Sequence, residues 1–473
     1  MKRLASGLLL LLLAGCATVG PDYVPPEISA PAHWTAELEG GQTVKYVDIQ
    51  ALADWWTALN DPILSSLIER AVAGNLDLKK ARARVREARA RRGISQADLF
   101  PAIDTGISAN RNRSSEETGS GETRELYTAG FDASWELDLF GGKRRAIEAA
   151  EAELQASEED LRDVLVSLLA EVALNYVEVR SFQTRLSIAE ANLDTQTETY
   201  NITQWRFRAG LTTQLDVEQA GYNLEQTRSQ IPTLQTGLEQ AGNRLAVLLG
   251  EHPGFLKDIL SEPKSIPVTP LGVAIGLPAD VLRRRPDVRR AERQLAAQTA
   301  QVGVATADLY PKLSLTGSIG LEALSLGNLF LSRARTSAIG SNIGWPIFDA
   351  GRIRQNIKVQ TAVQEQALIQ YETAVLTALE EVENALVSYA DEQVRRRSLL
   401  KASQAAQRAV DLAQNKYVSG LIDFQAVLDA QRSLLSLQDQ LAISEGEATS
   451  NLITLYKALG GGWTSLVPDD KKK

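Results

Sequence analysis

A near-repeat of the chain at a spacing of 210 residues constrains the fold more than any other feature of the sequence. The segment Ala97–Pro101 (ADLFP) recurs as Ala307–Pro311 (ADLYP), a shift of 307 − 97 = 210. The same shift relates Trp135 to Trp345, Gly210-Leu211 to Gly420-Leu421, Ala220 to Ala430, and Leu249-Gly250 to Leu459-Gly460. Gly142 and Gly351 fall one residue short of this shift, which indicates small compensating insertions and deletions. The sequence therefore predicts a tandem duplication of one structural unit.

Each half contains the same order of helical and strand-like patterns. The helical segments are rich in Ala, Leu, Arg and Glu and carry apolar residues at three- and four-residue spacings. The longest one in the first half, residues 143–204, contains no proline and would form a rod of roughly 90 Å, as in packed coiled helices. The helical segments are 64–98, 143–204 and a run that ends near 249 in the first half, and 278–308, 352–416 and a run that ends near 459 in the second.

Two strand-like runs follow the first helix of each half. Apolar and polar residues alternate along each run, which is the pattern of a transmembrane β-strand with one face to lipid and one to a wet lumen. An amphipathic hairpin on a soluble core is the alternative, but acidic residues on the polar face disfavour it. The predicted strands are residues 101–112, 127–139, 311–322 and 337–347.

Four strands from one chain cannot close a barrel. An open sheet edge in lipid leaves backbone groups unpaired, at a cost of about several kcal/mol each, and closed membrane barrels contain about eight strands or more. The strand count therefore predicts an oligomer of at least two chains. Three chains would supply twelve strands and four would supply sixteen, and the count does not choose between them.

The N-terminus has the pattern of an export signal that ends in the only cysteine of the chain. Lys2 and Arg3 precede a short apolar run, and Leu13-Ala14-Gly15-Cys16 resembles the lipobox of bacterial lipoproteins. We therefore predict a lipoprotein signal peptide over residues 1–15 and acylation of Cys16, with palmitate as an expected modification. An ordinary signal with an incidental cysteine is the alternative. The residue after the cysteine is Ala17 and not Asp, which indicates sorting to the outer membrane.

Composition excludes several other classes of protein. The formal charge of −9 and the pI near 5.2 argue against a nucleic-acid binder, which needs a basic face for phosphates. One Cys, one Met and two His leave too few soft ligands for a zinc, copper or iron–sulfur site. Neither His33 nor His252 has a plausible partner motif, and no Gly-rich phosphate loop follows a strand. We therefore expect no enzyme, no metal and no cofactor.

Several short motifs spread over nearly the whole mature chain resemble those of one family. They are Val19-Gly20-Pro21-Asp22-Tyr23, Trp55-Trp56 with Asp61-Pro62, Arg284-Arg285-Pro286-Asp287-Val288, Ala307-Asp308-Leu309-Tyr310-Pro311, Phe348-Asp349-Ala350-Gly351 and Leu428-Asp429-Ala430-Gln431. Each motif is weak by itself, but together, inside a duplicated layout, they are specific. The sequence resembles the outer-membrane efflux factors, the TolC-like family, and in particular their NodT-type lipoprotein branch.

The resemblance implies a fold that is mainly α-helical with transmembrane β-strands. Tandem-duplicated helix–strand–strand–helix–helix units would form a homotrimer with a twelve-stranded outer-membrane β-barrel, continued by a long periplasmic α-helical barrel. The expected segments are a lipidated extended or equatorial segment 16–62, a first repeat 63–250, an equatorial linker 251–277, a second repeat 278–461 and a polar tail 462–473.

The resemblance also implies a passive exit duct in the outer membrane of a Gram-negative bacterium. It would conduct small molecules such as drugs or toxic compounds. It would receive them from an inner-membrane pump, RND-type in preference to ABC-type, and from a periplasmic adaptor (membrane fusion) protein. Two alternatives stay open. One is the exit duct of a protein or peptide secretion system, and the other is a lipid-anchored periplasmic coiled-coil scaffold that never enters the membrane.

Three sets of residues are candidates for the work of such a duct. By the resemblance, Asp429 and, as a second candidate, Asp216 would narrow the periplasmic mouth as a gate, although a solvated helix face also explains an aspartate there. Trp135 and Trp345 would lie in the interfacial girdle. The two helix breaks would form the tip that docks the adaptor, with simple helix termination as the alternative interpretation. The tip residues are Arg206, Arg208, Gly210, Thr213, Lys416, Tyr417, Gly420 and Asp423.

Overall fold

The computed structural model describes residues 18–27, 30–36, 42–44, 49–267 and 273–463. Before the first repeat lie β1 (Gln42–Val44) and α1 (Ile49–Ala53). The first repeat contains α2 (Pro62–Gly74), α3 (Leu76–Ala97), β2 (Ala102–Arg113), β3 (Thr123–Leu137), α4 (Gly142–Arg208) and α5 (Gln214–Leu248). Between the repeats lie α6 (Lys257–Leu260) and β4 (Val273–Ile275). The second repeat contains α7 (Pro278–Arg284), α8 (Pro286–Ala307), β5 (Lys312–Ala323), β6 (Arg335–Gly344), α9 (Arg352–Val418) and α10 (Phe424–Ala458).

The bounds of these elements confirm the duplication. Helices α3 and α8 each contain 22 residues, α4 and α9 each contain 67, and α5 and α10 each contain 35. Corresponding ends are 210 residues apart, since α4 begins at 142 and α9 at 352. Gly351 corresponds to Gly141, because both have a positive φ (84° and 80°) and both directly precede a long helix. The insertion that we inferred from Gly142 is therefore wrong.

The long helices α4 and α9 follow from their proline-free sequences. At about 1.5 Å per residue, each is about 100 Å long, somewhat longer than the sequence pattern predicted. Among the described residues, every helix falls short of the combined length and apolarity needed to cross a membrane.

The four long strands form one antiparallel sheet in the order β2-β3-β5-β6. Directly paired residues lie on the same face of a sheet, so each face can be followed from strand to strand. One row on the first face contains Ile103, Ala133, Gly317 and Ile339, and the neighbouring row on the opposite face contains Asp104, Asp132, Ser318 and Ala338. The predicted alternation between an apolar and a polar face is thus present within a single chain.

The end of β3 differs from the predicted one. The strand spans Thr123–Leu137 and not 127–139. It stops because the Asp138 carboxylate accepts hydrogen bonds from the backbone amides of Lys143 and Arg144, at 3.1 and 3.0 Å, in the first turn of α4. A residue that caps the next helix cannot also continue the strand.

The end of β6 also differs from the predicted one. The strand spans Arg335–Gly344 and not 337–347. It ends shortly before Pro346, whose nitrogen carries no hydrogen and therefore cannot donate to a strand ladder. The other two strands, β2 and β5, begin and end within one residue of the predicted positions.

The chain divides into two compact units, of which the first contains the sheet. Its members are residues 18–27, Arg84–Glu158 and Arg290–Thr373. Beside the sheet, alanines of α4 and α8 pack together with Tyr23 of the N-terminal segment. The Tyr23 hydroxyl donates to Glu292 at 3.1 Å.

The second unit contains the larger apolar core. Its described members are residues within 30–83, 159–289 and 374–463. Buried side chains of α2, α4, α5, α9 and α10 form this core, and the ring of Trp55 stacks on Tyr456 with centroids 5.6 Å apart. Both helix-to-helix turns, α4–α5 and α9–α10, belong to this unit.

Candidate functional site

The α4–α5 and α9–α10 turns have the same backbone geometry. Gly210 and Gly420 adopt φ of 71° and 73°, the left-handed region that glycine enters without a steric penalty. The amides of Leu211 and Leu421 donate back to the carbonyls of Arg206 and Lys416, at 2.8 and 2.9 Å. This is the Schellman arrangement that ends a helix and satisfies its last carbonyls. We name the two turns together, residues 205–216 and 415–426, the helical tip.

The next helix in each repeat begins at a capping residue, Thr213 in the first repeat and Asp423 in the second, and both are among the predicted tip residues. The Thr213 hydroxyl accepts from the amide of Asp216, and the Asp216 carboxylate accepts from the amide of Thr213 at 2.9 Å, which completes a capping box. In the second repeat the Asp423 carboxylate accepts from the amide of Ala426 at 3.1 Å. Burial alone would raise the pKa of Asp216, but hydrogen bonds from Thr212 and Thr213 prevail and lower it. Asp216 therefore has a capping role, and its role as a second gate residue stays a prediction.

Tyr417 lies inside the helical tip and not on its surface. It is 7% exposed and packs with Phe424, Val427 and Leu428, its ring centroid 5.2 Å from that of Phe424. The Arg206 guanidinium lies 4.6 Å from the centroid of the Tyr417 ring, a cation–π distance. In the described chain, the ring is thus part of a small core that joins the two turns.

The surface of the helical tip carries both charge and exposed leucines. Arg208, Lys416 and the predicted glycine and cap residues are exposed. Leu211 and Leu421, which occupy equivalent positions in the two repeats, are 65% and 73% exposed. The sequence analysis did not propose these leucines, although their place after a repeated glycine was a usable signal. An exposed large apolar side chain at a turn indicates a contact surface.

Asp429 lies on the exposed side of α10. Its carboxylate accepts from the Gln425 amide at 2.9 Å and lies 4.0 Å from the guanidinium of Arg432. Arg432 in turn reaches α5, where its Nε donates to Asn223 at 3.0 Å and its Nη2 donates to the Tyr222 hydroxyl. The guanidinium also lies 5.0 Å from the centroid of the Tyr222 ring. We name Asp429, Arg432, Tyr222 and Asn223 the gate bridge.

Sequence reasoning missed Arg432 and Tyr222. They are 432 − 222 = 210 residues apart, so they occupy equivalent positions in the two repeats and meet where α5 and α10 approach. The available signal was the position of Arg432, one helical turn after Asp429 on the same face.

The two predicted girdle tryptophans make equivalent hydrogen bonds. The indole of Trp135 donates to the Leu99 carbonyl at 2.8 Å, and the indole of Trp345 donates to the Leu309 carbonyl at 3.0 Å. Each hydrogen bond joins the end of the second strand of a hairpin to the turn that precedes the first strand of the same hairpin. The rings are 36% and 59% exposed, so both keep an apolar face available beside the sheet.

The N-terminal segment, residues 18–27, packs within the first unit close to these strand ends. The Val19 amide donates to the Phe140 carbonyl at 3.1 Å, and the buried Arg145 donates to the Val19 carbonyl at 3.1 Å and to Asp22 at 2.6 Å. The predicted lipidation site, Cys16, lies outside the described residues. Only two residues separate it from Val19, and three residue-to-residue steps reach at most about 10 Å.

The described side chains offer no metal site. Within the described ranges, no group of three His, Cys, Asp or Glu side chains is close enough to hold a metal ion. The arrangement of the helical tip and the gate bridge instead consists of hydrogen bonds, cation–π contacts and exposed apolar side chains. Such groups can hold two helices together reversibly and can present a surface to another protein.

The family model for outer membrane efflux proteins matches residues 67–251 and 277–461, two matches whose first residues are also 210 apart. Nodulation protein T of Rhizobium leguminosarum bv. trifolii is 34% identical over 462 residues, which cover 96% of each chain. Pyoverdine export outer membrane protein OpmQ of Pseudomonas aeruginosa is 34% identical over 484 aligned residues and 98% of each chain.

Solved structures that resemble this chain are also outer-membrane channels. The outer-membrane channel OprN is 39% identical, covers 94% of this chain and 100% of its own, and gives a TM-score of 0.88. The structure of CusC, at 29% identity, covers 94% of this chain with a TM-score of 0.81. The chain therefore belongs to the outer membrane efflux protein family and is an outer-membrane efflux channel protein.

Proposed function

We propose that this protein is the exit duct of a tripartite efflux system, a homotrimer that passes small molecules across the outer membrane without a catalytic step. The open sheet carries the proposal, because β2 and β6 are edge strands in one chain. Unpaired strand edges in lipid are prohibitive, so β6 of one copy pairs with β2 of the next. Three copies supply twelve strands, which is within the range of closed barrels.

The gate bridge closes the periplasmic mouth in this proposal. Three copies of the exposed Asp429 brought near one axis repel one another, so the closed state needs nearby positive charge. Arg432 supplies this charge and also ties α10 to α5 through Tyr222 and Asn223. Loss of Arg432 therefore removes both the compensating charge and the tie between the two helices.

Single-channel conductance in planar bilayers tests the duct and its gate together. We expect a trimer of small conductance. Asp429→Ala should raise it modestly, because the variant removes a side chain that narrows the mouth while also relieving the repulsion. Arg432→Ala should raise it more, severalfold above the wild type, because it leaves the three carboxylates uncompensated. Arg228→Ala is the matched control, since Arg228 is an exposed arginine paired with Glu225 inside α5 alone. If neither Asp429→Ala nor Arg432→Ala changes the conductance, the gate lies elsewhere. A well-folded protein without conductance and with a monomeric mass overturns the duct.

The helical tip is the docking surface for the periplasmic adaptor in this proposal. The leucines at positions 211 and 421, together with Arg208 and Lys416, present apolar contacts rimmed by positive charge. We expect Leu211→Asp with Leu421→Asp to abolish co-purification of the adaptor while leaving the conductance of the isolated trimer intact. Retained co-purification would move the docking surface away from the tip.

We propose small molecules as the cargo and an RND-type pump as the energy source. The relatives named for pyoverdine export and for toluene efflux support the cargo. The type of pump follows from the family resemblance alone. A duct for protein or peptide secretion is the competing assignment. Deletion of the gene separates the two: accumulation of a small fluorescent pump substrate supports the first, and loss of a secreted polypeptide with normal dye export supports the second.

We propose that acylated Cys16 anchors the chain to the outer membrane. The placement of Val19 beside Phe140 and Arg145 supports this, because the acyl chains would leave the protein near the strand ends. A Cys16→Ser variant exported by an ordinary signal should stay in the membrane fraction, held by its barrel, and should lose incorporated palmitate. Palmitate retained by that variant would contradict the proposed site.

A further inference from the structure

The two hairpins of the sheet end in connections of opposite chemistry. The β2–β3 connection, residues 114–122, is polar throughout, and the basic side chains of this hairpin end each have a carboxylate partner. The pairs are Arg111 with Glu125 at 3.7 Å, Arg113 with Glu116 at 3.6 Å, and Arg124 with Glu122 at 3.7 Å. At this end of the sheet, each arginine therefore has a carboxylate beside it.

The β5–β6 connection, residues 324–334, is apolar and exposed. It forms two short 3₁₀ turns around a buried leucine, Leu329, which is 4% exposed. Three other large apolar side chains are exposed: Leu324 is 68% exposed, Leu326 is 61% exposed and Phe330 is 80% exposed. Such a group of apolar side chains at a hairpin end needs a partner that removes it from water.

Two arginines beside these apolar side chains have no carboxylate partner. Arg333 donates only to the Asn328 side chain, at 3.4 Å, and Arg335 is exposed. Within the described part of the chain, neither guanidinium lies at salt-bridge distance from an acid. The chain has a net charge of −9, so two neighbouring arginines without a carboxylate partner are unusual. We expect Arg333 and Arg335 to attract an anion.

The sheet register gives the face on which Arg335 lies. Arg335 pairs with Leu321, which pairs with Ala129, which pairs with Ile107. Paired residues share a face, so Arg335 is on the apolar face, at the end of the sheet that carries the connections. A long basic side chain at that place can keep its aliphatic stem on the apolar surface and extend its charge toward lipid headgroups.

We propose that the β5–β6 connection and Arg335 form a binding site for phosphate-bearing lipids of the outer leaflet. Arg333 and Arg335 bind the headgroup phosphates, and Phe330 and Leu326 enter the acyl region beside them. The proposal rests on the membrane-spanning sheet of the proposed function. The alternative is that the β5–β6 connections of neighbouring copies contact one another. This is disfavoured because three such connections would bring together six arginines, Arg333 and Arg335 of each copy, and the connections themselves contain no carboxylate.

Native mass spectrometry of the detergent-extracted full-length protein tests this site. The probes are a diphosphorylated lipid A and, as the neutral control, phosphatidylcholine. We expect the wild-type trimer to bind lipid A in preference, and Arg333→Gln with Arg335→Gln to weaken that binding roughly thirtyfold, since each basic residue near an anionic surface contributes about fivefold. Arg111→Gln with Arg124→Gln is the matched control and should leave the affinity within about twofold.

The outcomes separate this inference from the proposed function. A conducting trimer whose lipid A affinity is unchanged in Arg333→Gln with Arg335→Gln, or is lost equally in the control, overturns the lipid site and leaves the duct intact. A Phe330→Ser variant that alters conductance without altering lipid binding assigns the connection to contacts between copies and also overturns it. Absence of both trimer and conductance in the wild type contradicts the proposed function itself.

Discussion

Helix α4 packs in two different ways along its length. Between Leu165 and Val179 its buried side chains are apolar, apart from the ring-bound hydroxyl of Tyr176, and they lie in the core of the second unit. Between Gln183 and Thr203 the buried side chains are mostly polar. These polar residues are Gln183, Asn192, Gln196, Thr199 and Thr203.

The polar half of α4 contacts α10 through hydrogen bonds, and we name this contact the α4–α10 seam. Arg185 donates to Asp439 at 2.7 Å, Asn192 donates to Gln438 at 2.8 Å, and Gln431 donates to Thr199 at 2.8 Å. Within the described chain, neither amide atom of the buried Gln196 has a hydrogen-bond partner. The seam therefore keeps unused hydrogen-bonding capacity in its interior.

The apolar and polar halves of α4 differ in how easily their contacts can be exchanged for others. Apolar core contacts are stabilised by the area they bury and by close packing, so moving them leaves cavities. A hydrogen bond contributes only about 1 kcal/mol net and can be exchanged for another of similar energy. The half of α4 beside the gate bridge is thus the half in which helices can shift at low cost.

Truncation of the apolar half should have the largest effect. Leu169 is fully buried, and Leu169→Ala should lower the free energy of unfolding by about 3 kcal/mol through the lost burial and the remaining cavity. The denaturant midpoint of the detergent-solubilised protein measures this loss. Leu412→Ala, at a 61% exposed leucine of α9, is the control and should change little. A loss below about 1 kcal/mol would show that this half is not a tightly packed core.

Acid should weaken the second unit, to which the apolar part of α4 also belongs, through Asp287. Burial alone would raise the pKa of Asp287, but its hydrogen bond and charge interaction with Arg285 prevail and lower it. Arg285 is itself buried and also binds Glu381 at 2.6 Å and the Ala458 carbonyl at 3.0 Å. Asp287→Asn should cost about 2 kcal/mol at neutral pH, because it leaves a buried cation with one partner fewer.

The pH dependence has a defined direction. A carboxyl group with a lowered folded-state pKa stabilises the fold above its unfolded pKa of about 4, and this contribution is lost as the pH falls through the folded-state value. The wild-type unfolding midpoint should therefore fall as the pH drops below about 4, and the Asp287→Asn midpoint should fall less. Parallel curves for the two proteins would contradict the role assigned to this ion pair.

The smallest effect is expected in the α4–α10 seam. A double-mutant cycle of Arg185→Ala and Asp439→Ala should give a coupling energy of about 0.5 kcal/mol, as for partly exposed ion pairs. The same variants should change channel opening more than stability, since the seam lies beside the gate bridge. A coupling energy of several kcal/mol would remove the contrast between the two halves of α4.

Much of the fold follows from local sequence rules. Proline-free runs, the glycines at 210 and 420 and the caps at Thr213 and Asp423 each act through their own neighbours, so the pattern alone locates them. Alternation predicted which face of each strand is apolar for the same reason.

The parts that failed depend on side-chain contacts that the helical and strand periodicities do not show. The end of β3 is set by the capping role of Asp138, and the burial of Tyr417 is set by Phe424 and Arg206 of the same tip. Arg432 meets Tyr222 only because α5 and α10 are neighbours, which no local rule shows. The sequence could therefore predict Asp429 as a gate residue, but it could not predict the contact between α5 and α10 that completes the gate bridge.

The identical length of α4 and α9 has a consequence for how the protein can evolve. Both helices contain 67 residues and end in turns of the same geometry. Deleting one helical turn from either alone would draw its turn back by about 5 Å and leave the other in place. We therefore expect changes of helix length to be inherited in pairs, one in each half of the gene.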